Sequence, residues 1–189
     1  MKKKLVLALL MATLLAGGAF AKEWYNSYAP GIDGSNILAN VGIGIGYGGI
    51  GYKMSIPPIS ASVEYAGLPI PLSVGAYFGI ARYKWEGVSL FWGDTYSYTR
   101  LFLAFGARAA WHFNFLQNLD TYAGLGLGYI MYSYGGNASY LNDLGLSKGA
   151  FDFGAFIGAR YFFTNIIGVY LETGYSGLTF VSAGLSLKF

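Results

Sequence analysis

The sequence predicts an all-β chain, an eight-stranded antiparallel up-and-down transmembrane β-barrel. Three observations predict it. The last nine residues alternate strictly, with Val181, Ala183, Leu185, Leu187 and Phe189 on one face and Ser182, Gly184, Ser186 and Lys188 on the other. Side chains of a strand point to opposite faces with period two, so this is a strand with one apolar and one small or polar side. Charged residues make up only 11% of the 189 and aromatics 19%, whereas a soluble domain carries about 25% charged residues. Yet beyond the first segment no stretch offers the roughly 18 consecutive apolar residues that a spanning helix needs. A closed sheet satisfies all three, because it pairs every backbone N–H and C=O inside lipid without helices.

Lys2, Lys3 and Lys4 open the chain, an apolar run extends from Leu5 to about Gly18, and Ala19-Phe20-Ala21 supplies a small-x-small motif before Lys22. The run is too short to span a bilayer, so residues 1–21 are expected to be a secretory signal peptide. Residues 22–36 are expected to form a periplasmic lead and residues 37–189 the barrel. Without Lys2, Lys3 and Lys4, nine basic residues face nine acidic ones. The formal charge of +3 therefore belongs to the signal, and the inference from basicity to nucleic acid fails. With no Cys there is no lipid-modified Cys, disulfide or thiolate metal site.

Alternation marks eight segments. The first, about Ile37–Tyr47, turns Val41, Ile43, Ile45 and Tyr47 outward. The second, about Ile59–Ala66, turns Ser60, Ser62 and Glu64 inward. Pro69 and Pro71 cannot donate to a ladder and mark the turn that follows. The third is Leu72–Trp85, and the fourth, Tyr98–Phe113, has Arg100, Phe102, Arg108 and His112 inside. After a turn at Asn114–Leu119 the fifth is Asp120–Tyr134. The sixth, Ala150–Phe163, places Asp152, Phe156 and Arg160 inside. The seventh, Gly168–Ser176, places Glu172 by its parity beside Leu171 and Thr173 outside, and the eighth closes the chain. An even count puts both termini in the periplasm. The longer connections, Gly48–Pro58, Glu86–Ser97 and Gly135–Gly149, are then external, while the last external turn near Ser176-Gly177-Leu178 is very short. Trp111, Phe113, Tyr161, Phe163 and Phe189 fall at the periplasmic interface, and Tyr47, Phe151, Phe153 and Tyr175 toward the outer one, as amphipathic rings should.

Few motifs point to chemistry. Gly44-Ile-Gly46-Tyr-Gly48-Gly49 resembles a dinucleotide fingerprint but lacks the helix that would receive phosphate. Inward glycines here and at Gly124, Gly126 and Gly128 instead leave room for Tyr77, Phe102 and Phe156. Glu64, Arg108, Arg160 and Glu172 are expected to form a lumen salt-bridge network, because buried charges must be paired. Equal spacing about Ile166 places Arg160 opposite Glu172. His112 is the only histidine, which rules out a His cluster for metal. Parity sets it inward near the periplasmic end, within reach of Asp120 across the hairpin. A capped structural imidazole explains it better than a catalytic base.

Leu185-Ser-Leu-Lys-Phe189, together with Phe156-Ile-Gly-Ala-Arg160-Tyr-Phe-Phe-Thr-Asn165 and Glu172-Thr-Gly-Tyr175, resembles the small bacterial outer-membrane barrel superfamily. That group includes OmpA/OmpX-type, OmpW-like and opacity-protein barrels. The resemblance implies outer-membrane location, and an assembly signal at Leu185, Leu187 and Phe189 read by the barrel-assembly machinery. It implies outer-membrane lipid as surroundings, an external ligand met through the loops, no nucleic acid and no cofactor. The barrel enzymes of that membrane, lipid A palmitoyltransferases and deacylases, hold their catalytic residues toward the external side, away from His112. The expected function is a non-enzymatic surface or structural protein. The alternatives are a narrow OmpW-like channel for small or apolar solutes and, behind it, a lipid-modifying enzyme.

Overall fold

The computed structural model describes residues 37–46, 53–68, 70–88, 95–116, 118–136 and 148–189. The expected signal peptide and lead, together with Tyr47 and with Tyr52, Phe91, Trp92 and Tyr140, the aromatic contacts expected near or within the longer external connections, lie outside these residues. The elements are β1 (Ile37–Gly46), β2 (Lys53–Tyr65), β3 (Leu72–Val88), β4 (Thr95–Leu116), β5 (Leu119–Gly136), β6 (Lys148–Phe162), β7 (Ile167–Ser176) and β8 (Thr179–Lys188). They form one closed barrel in chain order. Closure is made by β1 against β8, where Ile37 N donates to Phe189 O at 2.8 Å and Phe189 N to Ile37 O at 2.9 Å. The terminal aromatic is thus the last rung of the seam.

The strands outrun the sequence alternation at the external end. β2 begins at Lys53, so Pro57 and Pro58 lie inside a strand expected to start at Ile59. The register shifts between Ile56 and Ile59, which is how a ladder accommodates residues that cannot donate. β3 reaches Val88, β4 starts at Thr95 and β5 ends at Gly136, which narrows two of the expected loops. Thr95-Tyr-Ser97 is polar but rich in residues that favour strands. Polarity there marks emergence from lipid rather than the end of pairing. β3, β4 and β5 hold 17, 22 and 18 residues, against 10 each in β1, β7 and β8. Crossing takes about 9–11. One wall therefore stands far above the opposite rim.

Side-chain polarity is the reverse of a water-soluble protein. Val41, Phe78, Phe105, Leu127, Phe153, Ile157, Leu171 and Leu185 are exposed on the outside, while Asn40, Glu64, Ser73, Arg108, His112, Asp120, Arg160 and Glu172 are buried inside. Phe151 is 87% exposed, a position tolerable only against lipid. Phe113, Tyr161, Phe163 and Phe189 are exposed at the periplasmic rim, where rings meet headgroups.

The short external turn between β7 and β8 dips into the bore. Gly177 sits at φ 60°, a left-handed conformation that costs glycine little. Leu178 follows it inward and packs with Tyr77, Ala81, Tyr83 and Ala104. The Gly177 amide and the Tyr77 hydroxyl both donate to the Asp152 carboxylate, the latter at 3.0 Å. Two of the lumen glycines, Gly124 and Gly128, make space for the expected rings, whereas Gly44 and Gly46 lie against the β8 side of the seam and no described glycine meets Phe102. A Cβ at Gly124 would overlap the Phe156 ring, and one at Gly128 the Tyr77 hydroxyl.

Candidate functional site

Below Leu178 the bore is crossed by a layer of polar side chains drawn from all eight strands. Arg160 on β6 is fully buried. Its Nη2 donates to Glu64 Oε1 at 2.7 Å, its Nη1 to Asp120 Oδ2 at 3.0 Å and its Nε to Asn40 Oδ1 at 3.2 Å. Asn40 also accepts from Ser186 Oγ at 2.8 Å and donates to Ser62 Oγ at 3.2 Å. Arg108 on β4 donates from Nη2 to Glu172 Oε2 at 2.7 Å. Its Nε lies 3.0 Å from Glu64 Oε1 but is not aligned as a hydrogen bond, so that contact is an ion pair only. Tyr122 Oη donates to Glu172 Oε2 at 3.1 Å. Each guanidinium also lies over a ring, Arg160 on Tyr122 and Arg108 on Phe156, both at 4.0 Å. Stacking and salt bridging together hold the two cations in one geometry.

The four residues expected to form a network, Glu64, Arg108, Arg160 and Glu172, stand together in this layer. One pairing differs. The β6–β7 ladder sets Arg160 opposite Tyr170 and Gly158 opposite Glu172, so the Arg160–Glu172 rung expected from the sequence is not made. The hairpin is centred one residue earlier than Ile166, which shifts each partner by two positions and sends both side chains across the bore instead.

His112 has partners on both sides. Its Nδ1 lies 2.7 Å from Asp120 Oδ1 and its Nε2 2.8 Å from Ser73 Oγ. Ser73, His112 and Asp120 are therefore spaced as a nucleophile, base and orienting carboxylate would be. Two facts separate them from that device. Ser73 is 0% exposed, and its hydroxyl donates to Glu64 Oε2 at 2.8 Å. A hydroxyl has one proton to give, and that of Ser73 is directed at the Glu64 carboxylate. Ser73 and Asn40 were missed in the sequence, where each looks like any small inward residue of an alternating strand.

An apolar exterior band around a closed sheet, with the charges at its level turned into the bore, fits only a lipid bilayer crossed by strands. This is a membrane-spanning β-barrel. No protein-family model matches the chain, and no curated protein matches it. Among solved structures it is similar to Ail, the attachment invasion locus protein of Yersinia pestis, at 16% identity, covering 83% of this chain and 99% of that one with a TM-score of 0.49. It is also similar to the outer membrane protein OprG from Pseudomonas aeruginosa, at 11% identity over 83% of this chain and 97% of that one, TM-score 0.45. The N-terminal β-barrel domain of Pseudomonas aeruginosa OprF gives 16% identity, 83% and 98% coverage and a TM-score of 0.41. Likeness at these identities says nothing about activity.

Proposed function

We propose that the protein is a non-enzymatic surface barrel that meets its partners at the external end and conducts no solute. The observation that carries this reading is the double closure of the bore. Leu178 and its apolar neighbours lie above, the layer of Arg160, Glu64, Arg108 and Glu172 below. Between them a void of about 20 Å³ is lined by Ser60, Ser62, Tyr170, Arg108, Glu172 and Ser182, among others, room for about one water molecule. The buried Ser73 hydroxyl, with its proton committed to Glu64, supports a structural rather than a hydrolytic role for the Ser73–His112–Asp120 chain.

The inner face of the tall wall supports external contact. Tyr83 and Phe102 pack edge to face at 5.8 Å, Phe102 and Tyr132 meet at a tilt with centroids 6.0 Å apart, and Arg100 lies 5.0 Å from the Tyr134 ring centroid. Trp85 is 41% exposed. Aromatic side chains and Arg are the usual anchors of interfaces. The narrow-channel reading draws on the inward glycines and on the small void. Planar-bilayer recording of pure protein separates the two: no steady conductance is expected, and a reproducible single-channel current would establish the channel.

A further inference from the structure

We propose that the external lipid-facing surface of β2, β3 and β4 is a binding site for the phosphorylated headgroup of an outer-leaflet lipid, held by Arg82, Lys84 and Lys53. The register sets the outward residues of this sector in rows. The lowest is apolar: Ile59, Ile80, Leu103 and Met131. The next is Ile56, Arg82, Leu101 and Ser133, and the one above it Lys53, Lys84, Thr99 and Gly135. The surface thus passes from acyl-chain contact to cation and hydroxyl within two rows, which matches the order of parts in a phospholipid or glycolipid. A groove of about 510 Å³ lies across it, with Ile56, Arg82, Thr99, Leu101 and Ser133 among its walls.

The charge distribution selects an anionic occupant. Among the described residues the other basic side chains, Arg100, Arg108, Lys148, Arg160 and Lys188, share the inward parity of their strands. Every described outward cation therefore falls in this one sector, at this one leaflet. Cations that merely snorkel to the interface would have no reason to gather so. Glu86 is bound to Lys84 at 2.7 Å and lies 3.9 Å from Lys53. The hydrogen bond and charge of Lys84 hold the Glu86 carboxyl below the usual range. It offsets one of the three cations, and Arg82 keeps no ion-pair partner among the described residues. A guanidinium facing the headgroup level with no counter-charge among the described residues is a phosphate receptor of the bidentate kind.

The test uses the full-length barrel in phosphatidylcholine nanodiscs doped with bisphosphorylated lipid A, with retained lipid counted by native mass spectrometry. Each cation near an anionic lipid surface is worth about fivefold in affinity, so R82Q/K84Q should retain lipid A about 30-fold less well than the unmodified protein. Both side chains reach solvent or lipid rather than the bore, and heat-modifiable gel mobility checks that the variant is folded. Single Arg82→Gln carries the same test with about a fivefold loss, and Lys148→Gln, on the inward side, should behave as the parent. Dephosphorylated lipid A should be held weakly by parent and variant alike, and millimolar inorganic phosphate should leave retention unchanged. Equal retention by R82Q/K84Q would overturn the proposal. So would equal retention of the dephosphorylated lipid, which makes the groove an acyl-chain contact, or displacement by free phosphate, which makes it an anion site without lipid.

Discussion

Arg160 Nη2 and Glu64 Oε1 meet at 2.7 Å from strands β6 and β2, which share no ladder. The contact spans the bore and ties together opposite walls of the sheet. Because both side chains are fully buried, neither has water to fall back on.

Arg160→Ala should therefore cost about 3–5 kcal/mol, since it strands the carboxylates of Glu64 and Asp120. A double replacement of Arg160 and Glu64 by apolar residues should recover part of that loss. In urea titrations, double-mutant cycles should give a coupling of about 0.5–3 kcal/mol for Arg160–Glu64 and for Arg108–Glu172. The cycle for Arg160–Glu172, which do not touch, should be smaller. A larger Arg160–Glu172 coupling would favour the rung that the ladder does not make.

How much of this was legible in the sequence is clear from the same residues. Period-two alternation places Glu64, Arg108, His112, Arg160 and Glu172 inside, because parity alone decides the face. Pairing across the bore depends on the stagger of a closed sheet and on the centre of each turn, neither of which alternation encodes. The β6–β7 turn shows the sensitivity: displacing its centre by one residue moves Arg160 from Glu172 to Tyr170. Likewise Ser73, between Leu72 and Val74, gains its role only from the registers that set it diagonal to Glu64 on β2 and to His112 on β4. Polar strand extensions such as Thr95-Tyr-Ser97 read as loops because they pair above the membrane, where the outward face no longer has to be apolar.

His112→Ala should cost about 1–3 kcal/mol by removing a buried hydrogen-bond partner of Asp120 and Ser73. A fluorophosphonate probe of serine nucleophiles should leave Ser73 unlabelled in the folded barrel. Labelling of Ser73 that disappears in His112→Ala would instead establish a working nucleophile and base.

Leu178→Ala should lower the unfolding midpoint through loss of about 2–5 kcal/mol, because the side chain is enclosed by Tyr77, Ala81, Tyr83 and Ala104. Single-channel recording of the same variant should still show no steady current, because the charged layer below is intact. A current that opens in Leu178→Ala would assign the whole seal to this turn.

Removing Phe189 deletes the two backbone bonds that join it to Ile37 along with the terminal aromatic. The yield of heat-modifiable protein in the membrane should fall, and restoring Phe189 as Tyr should recover more of it than restoring it as Gly. Unchanged yield on deletion would mean that Leu185 and Leu187 suffice for assembly.

Three bonds of the polar layer link residues 96, 120 and 146 positions apart, Glu64–Arg160, Asn40–Arg160 and Asn40–Ser186. No local hairpin can form them, so they become available only after the sheet has curled shut. Contacts made that late add little to the speed of folding and act almost wholly on escape from the folded state. The layer thus works as a latch in time. Its loss should leave the refolding rate nearly unchanged while shortening the life of each inserted barrel, and for a protein that is placed in its membrane once, that lifetime matters more than the equilibrium.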